Sequence, residues 1–221
     1  MPQRPRRRQI DRSLETRALL IGAAIELLRR DGFAGASTAA IAKRAGVTTG
    51  ALHHHFATKC DLFLGVLDQC NERVRTRLER IGPPRAGGSV DVTSLVSYLW
   101  EVYGDPEYWA IWEIIIGTRA DEAFHREVVG HRLETMRHIL HPWMRGLGLS
   151  HAREADLASL FEFMLIAIRG LSLERFLDKD KLYFKRNLNL LANIVETRLA
   201  ALTRDAETGQ KTMGTQGAAG S

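Results

Sequence analysis

Residues 37–59 read STAAIAKRAGVTTGALHHHFATK. Ser37 is a good N-cap for a short helix, because its hydroxyl can take a backbone N–H that has no partner in the first turn. That helix carries Ile41, Ala42 and Ala45 inward and stops at Gly46, a residue that tolerates the positive φ of a tight turn. After Val47, which can plug the gap between the helices, Thr48 caps a second short helix ending near Phe56. Leu52 and Phe56 are four apart and must face the core. With about 100° per residue, Gly50 and His54 then point most directly outward. Thr49 and His53 flank them on one side, Ala51 and His55 on the other. Two short helices around such a turn make a helix-turn-helix.

Upstream, Leu14, Ala18, Ile21, Ile25 and Leu28 form one apolar stripe on a helix predicted over 13–31, with Gly32 as its stop. Residues 1–12 hold two prolines and five arginines and read as a flexible basic arm. Downstream, Thr58 with Asp61 forms a variant capping box for a fourth helix running to about Ile81. Gly82-Pro83-Pro84 and Gly87-Gly88 then give the clearest break in the chain. Five more helices are expected over about 90–103, 106–118, 121–146, 151–177 and 181–203, with Pro142 kinking or shortening the third of these. Residues 204–221 lack apolar periodicity and are expected to be disordered. The expectation is an all-α protein: an arm (1–12), a three-helix domain that holds the helix-turn-helix (13–60), a larger helical domain (61–203), and a tail (204–221).

The bulk composition agrees. Of 221 residues 45% are hydrophobic, and they recur at three- and four-residue steps. Residues 1–60 hold 11 Lys/Arg against 4 Asp/Glu, whereas the remainder is slightly acidic, which directs one end of the chain towards a polyanion. The two cysteines, Cys60 and Cys70, fall on one helix about 15 Å apart, too far to bridge. No apolar run reaches the roughly 18 residues that span a bilayer, so the expectation is a cytoplasmic protein with no membrane partner.

The outward face of the helix after Gly46 is small and polar. Small residues let the backbone approach DNA, while hydroxyl and imidazole groups bond to bases and phosphates. The DNA-binding candidates are Ser37, Thr38, Thr48, Thr49, Gly50, Ala51, His53, His54 and Lys59, with Thr48 presenting a backbone N–H to a phosphate and Lys59 neutralising a second. Here the chain resembles the TetR family of regulators. The likeness rests on the apolar first helix, then Ser37, Ile41-Ala42, Ala45-Gly46-Val47, Gly50-Ala51-Leu52-His53-His54-His55-Phe56 and Lys59, and covers residues 13–62. The family usually carries tyrosine where His53 stands. The resemblance implies a homodimer on a palindromic duplex operator, an inducer pocket in the second domain, and a four-helix interface made by the last two helices of each copy.

Aromatic residues cluster where that pocket is expected. The ligand-binding candidates are Trp100, Tyr103, Trp109, Trp112, Ile116, Met136, Leu140, Trp143 and Met164, and they fit an apolar or aromatic small molecule. Glu113 and Arg119 are polar specificity groups if they point inward and a solvated face if they do not. The last two helices are apolar on wide faces, and Leu157, Phe161, Leu165, Ile168, Leu188, Leu191 and Val195 are the dimer candidates. Consecutive helical residues point about 100° apart, so His53-His54-His55 cannot converge on one metal ion. No catalytic constellation, glycine-rich phosphate loop, metal site or cofactor motif is read. Two alternatives stay open: a DNA-binding regulator without a small-molecule inducer, and a helical enzyme or carrier with an incidental basic end.

Overall fold

In the computed structural model the backbone is described for residues 4–81, 91–145 and 151–215, and side-chain surroundings for 10–76, 79–80, 91–134, 137–138 and 155–202. The described residues form nine α-helices and no strand: α1 (Arg4–Gly35), α2 (Thr38–Arg44), α3 (Thr49–His55), α4 (Lys59–Ile81), α5 (Val92–Tyr103), α6 (Trp109–Thr118), α7 (Glu122–Arg145), α8 (His151–Leu173) and α9 (Lys181–Thr215). Single 3₁₀ turns at Pro106–Tyr108 and Glu174–Leu177 stand where longer helices were expected. The break expected at Gly82-Pro83-Pro84 and Gly87-Gly88 lies outside the described residues.

Two helix limits depart from expectation, those of α1 and α9. α1 begins at Arg4 and takes in most of the expected arm. Arginine and glutamine are good helix formers, and Pro5 is tolerated because the first turn leaves its N–H positions unpaired anyway. α7 keeps its expected range and runs through Pro142 to Arg145, so the proline does not shorten it. α9 continues to Thr215, well past residue 203. Residues 216–221 of the expected tail lie outside the described residues. At Gly32 (φ 71°, ψ −176°) α1 leaves helical geometry and resumes for one more turn to Gly35.

The chain divides into two compact units. One is drawn from Met1–Arg73 and Pro106–Met136, the other from Val74–Asp105 and Arg137–Ser221. This partition cuts across the boundary expected after residue 60.

In the first unit α1 packs on α2, α3 and α6. Ile21, Ile25 and Leu28 of the expected stripe are buried, and Leu20, Ala24 and Leu27 join them. Leu14 and Ala18 are exposed instead, because the contacts α1 makes with α2 and α6 involve its second half, at Glu26 and Phe33. Three rings from three helices meet near the end of α1: Phe33 lies 5.6 Å from Phe63 and 6.4 Å from Phe124, and Phe63 stacks on Phe124 at 6.1 Å. Phe33 also lies on the bare backbone of Gly117. A Cβ built there would collide with the Phe33 ring.

In the second unit α5 packs on α8 and α9, and α8 packs on α9. Leu157, Phe161, Leu165, Ile168, Leu191 and Val195 are buried and Leu188 is half-buried in a single copy of the chain. These residues are therefore covered, wholly or in part, without a partner copy. The apolar residues left exposed on α8 and α9 are others, among them Phe163, Ile166, Leu190 and Ile194.

Candidate nucleic-acid interface

The turn between α2 and α3 is built by hydrogen bonds that only one backbone shape allows. Gly46 N–H donates to the Lys43 carbonyl at 3.2 Å, and Val47 N–H to the Ala42 carbonyl at 3.0 Å. This is a Schellman ending, and it requires the left-handed φ of 71° found at Gly46. Ser37 accepts from Ala40 N–H at 3.2 Å and Thr48 from Ala51 N–H at 3.1 Å, so each helix has its expected cap. At the start of α4, Thr58 N–H donates to Asp61 at 2.8 Å and Asp61 N–H to Thr58 Oγ1 at 3.0 Å, a reciprocal capping box.

Leu52 and Phe56 are buried to within 1% of full cover, which fixes the rotation of α3. Thr48, Thr49, Gly50, His53 and His54 are consequently exposed, and Ala51 and His55 are half-buried. Ser37 is exposed and Thr38 half-buried at the start of α2. Apart from its chain neighbours and its own helix backbone, a Cβ built on Gly50 meets, among the described residues, only Thr48 Oγ1 within 4 Å, at 3.9 Å. The protein itself therefore imposes no need for glycine at that position.

Lys59 is placed differently from its neighbours. Its ammonium lies 4.4 Å from the Phe33 ring centroid and 5.1 Å from that of Phe63, a cation–π seat that leaves it half-buried. Burial pushes its pKa below the ordinary lysine value. Arg17 likewise lies over Phe56 at 4.3 Å, and Arg44 pairs with Glu26 at 2.6 Å, tying α2 to α1.

The ligand candidates do not gather in one unit. Trp109, Trp112 and Ile116 are on α6 in the first, whereas Trp100, Tyr103 and Met164 are in the second. Ile116 is 46% exposed. Trp100 stacks on Phe184 at 5.3 Å with Arg175 over both rings. Met136, Leu140 and Trp143 fall on α7 at positions whose side chains lie outside the described residues. Glu113 is neither solvated nor free. It accepts Phe33 N–H at 3.0 Å and Trp109 Nε1–H at 2.8 Å, joining α6 to the backbone freed at the Gly32 kink. Arg119 is exposed and donates to the Ile116 carbonyl at 3.0 Å, closing the end of α6.

Sequence reasoning missed the buried polar residues, Asn71 and Arg132 among them. Each of these two occupies a slot in an apolar helical spacing, Leu67–Asn71–Val74 and Val128–Arg132, and that was the signal available. Among the described residues no three His, Cys, Asp or Glu side chains group to hold a metal, and no helix is long and apolar enough to cross a membrane. Burial, followed by a hydrogen bond to Glu127, pushes the Cys60 thiol up to about 12.

Comparison with known proteins places these features in context. The sequence profile described as "Bacterial regulatory proteins, tetR family" matches residues 20–66. The HTH-type transcriptional regulator CymR of Pseudomonas putida is 30% identical over 204 residues, covering 90% of this chain and 98% of that protein. Among solved structures, a TetR-family transcriptional regulator from Mesorhizobium loti MAFF303099 aligns with a TM-score of 0.62 at 17% identity, over 83% of this chain and 96% of that one. Salmonella enterica GusR aligns with a TM-score of 0.62 at 20% identity, over 86% and 95%.

Proposed function

The chain belongs to the tetR family of bacterial regulatory proteins and is a DNA-binding transcriptional regulator, and from that premise we propose that it is a dimeric repressor that leaves a palindromic operator when a small apolar or aromatic molecule binds. The observation that carries this reading is the exposed α3 face, where Thr49, His53 and His54 surround open space above Gly50. A recognition helix entering the major groove needs such a face: small enough for backbone approach and polar enough to bond base edges and phosphates. Residues 13–60 form the DNA-reading part. Thr48 and Ser37 serve as caps and offer helix-start N–H groups to phosphates. Lys59 contributes a phosphate contact only by leaving its seat over Phe33 and Phe63.

Two copies are needed to read both half-sites, about 34–36 Å apart. The exposed apolar residues Phe163, Ile166, Leu190 and Ile194 supply the isologous surface for that pairing. Release follows from coupling. Glu113 and Gly117 fasten α6 to the end of α1, so an effector that fits better when α6 shifts also favours a shifted DNA-reading part. Such an effector moves the equilibrium only by its differential affinity for the two states, about 1–3 kcal/mol in typical cases.

The test is selection of a duplex from a random pool, then titration of selected and scrambled duplexes across salt. Affinity for the selected duplex should exceed that for the scrambled one and fall steeply with salt as counterions are released. Equal affinity for the two duplexes would overturn the operator reading.

A further inference from the structure

We infer that Asn71, Trp112 and Arg132 form the anion-binding end of an effector site in the first unit, and that it takes the carboxylate of a small organic monoacid. The inference rests on the reading that this regulator binds an effector. Arg132 is 7% and Asn71 3% exposed, and Arg132 is the one buried cation among the described residues. Arg132 Nη1, Asn71 Nδ2 and the buried indole Nε1 of Trp112 all lack a hydrogen-bond partner. Each of these atoms is a donor. Burying a donor without an acceptor is costly, and burying a charge without a counter-charge costs more.

The three come from three helices, α4, α6 and α7, that side-chain contacts tie together. Arg132 on α7 donates through Nη2 to Tyr108 Oη, and its guanidinium lies 5.7 Å from the Tyr108 ring. Tyr108 and Trp112 are four apart at the start of α6 and so share a face. Arg73 on α4 pairs with Glu107 at 3.0 Å, beside Tyr108. His131, next to Arg132, meets Asp68 of α4 at 2.6 Å, and Asn71 lies three residues beyond Asp68 on the same side of that helix. Tyr108 occupies one edge of the guanidinium and leaves Nη1 free for a second partner.

One chemistry satisfies the set. A carboxylate brings acceptors only, matches the planar fork of a guanidinium, and carries the single negative charge that one buried cation balances. An amide or alcohol of the same shape brings its own donors and leaves the charge of Arg132 uncompensated. The rings of Tyr108 and Trp112 beside these donors suit an apolar or aromatic body on the acid.

The test uses full-length protein with benzoate, phenylacetate and hexanoate, each against its primary amide. Binding is read by tryptophan fluorescence and, separately, by release of the selected duplex. At least one acid should bind saturably and about tenfold tighter than its amide. Arg132→Met should remove that preference, and Asn71→Leu should weaken acid binding, with thermal melting and duplex binding reporting that both variants fold. If Arg132→Met does not fold, Arg132→Lys keeps the charge without the fork and should weaken the acids while preserving their preference over the amides. Equal affinity of acids and amides, or no saturable acid binding at millimolar concentration, overturns the anion site. A neutral compound that releases the duplex while no acid does so overturns it too, yet leaves effector-controlled release standing. Acids that bind at Arg132 without releasing the duplex would support the site and count against the release reading.

Discussion

Gly50 and Gly46 are glycines for different reasons, and substitution separates them. Gly46 has φ 71°, so a side chain there strains the backbone by roughly 1–2 kcal/mol. Gly50 has ordinary helical geometry and open space above it. Gly50→Val should therefore leave stability within about 0.5 kcal/mol, as for most surface changes. On DNA the added bulk stands where the backbone approaches the groove. The expected outcome is an unchanged urea midpoint with operator affinity reduced by about tenfold or more, a loss of about 1.4 kcal/mol. Undiminished operator affinity would show that α3 meets DNA through another face.

On the proposed reading, α6 is the element that ties effector chemistry to the DNA-reading part. Its residue types are nearly all apolar, yet its two decisive positions are Glu113, which accepts from Phe33 and Trp109, and Gly117, which lets Phe33 lie against the helix backbone. Glu113→Ala leaves an indole and a backbone N–H without their acceptor. The expected cost is about 1–3 kcal/mol, measured by chemical unfolding. Gly117→Val drives a side chain into the Phe33 ring and should cost at least as much. If α6 is the coupling element, Glu113→Ala should also reduce the difference in duplex affinity between effector-free and effector-bound protein. An unchanged difference alongside reduced stability would make Glu113 a structural residue only.

Across the molecule, burial separates residues that hold one copy together from residues that can join two. Leu165 is 3% exposed and Ile166, its neighbour, 58%. Both are apolar residues of α8, and a helix places successive residues about 100° apart, so one faces the interior and the other solvent. Leu165→Arg should unfold the protein, because it buries an unpaired charge. Ile166→Arg, or Phe163→Glu, should leave a folded monomer that binds the operator weakly. Sedimentation with circular dichroism distinguishes the outcomes: a folded Leu165→Arg monomer together with an intact Ile166→Arg dimer would reverse this assignment.

The helical class, the helix-turn-helix and the rotation of α3 were legible in the sequence, because each depends on residues within a few positions of one another. A cap acts over three residues, a Schellman ending over five, and Leu52 with Phe56 sets which side of a seven-residue helix is covered. Apolar periodicity showed that α8 and α9 have wide faces, but spacing alone does not say which half of a wide face meets the same chain. Only the tertiary structure decided that Leu165 is covered and Ile166 is not. The same limit hid the partner of Glu113, Phe33, which is 80 residues away, and the seat of Lys59 over Phe33 and Phe63. It also hid that donors of Asn71, Trp112 and Arg132, drawn from three helices, are buried without acceptors. Local hydrogen bonding and side-chain period are written along the chain. Which distant side chains share a buried space is set by how helices pack, and a polar residue in an apolar stripe acquires its meaning only there.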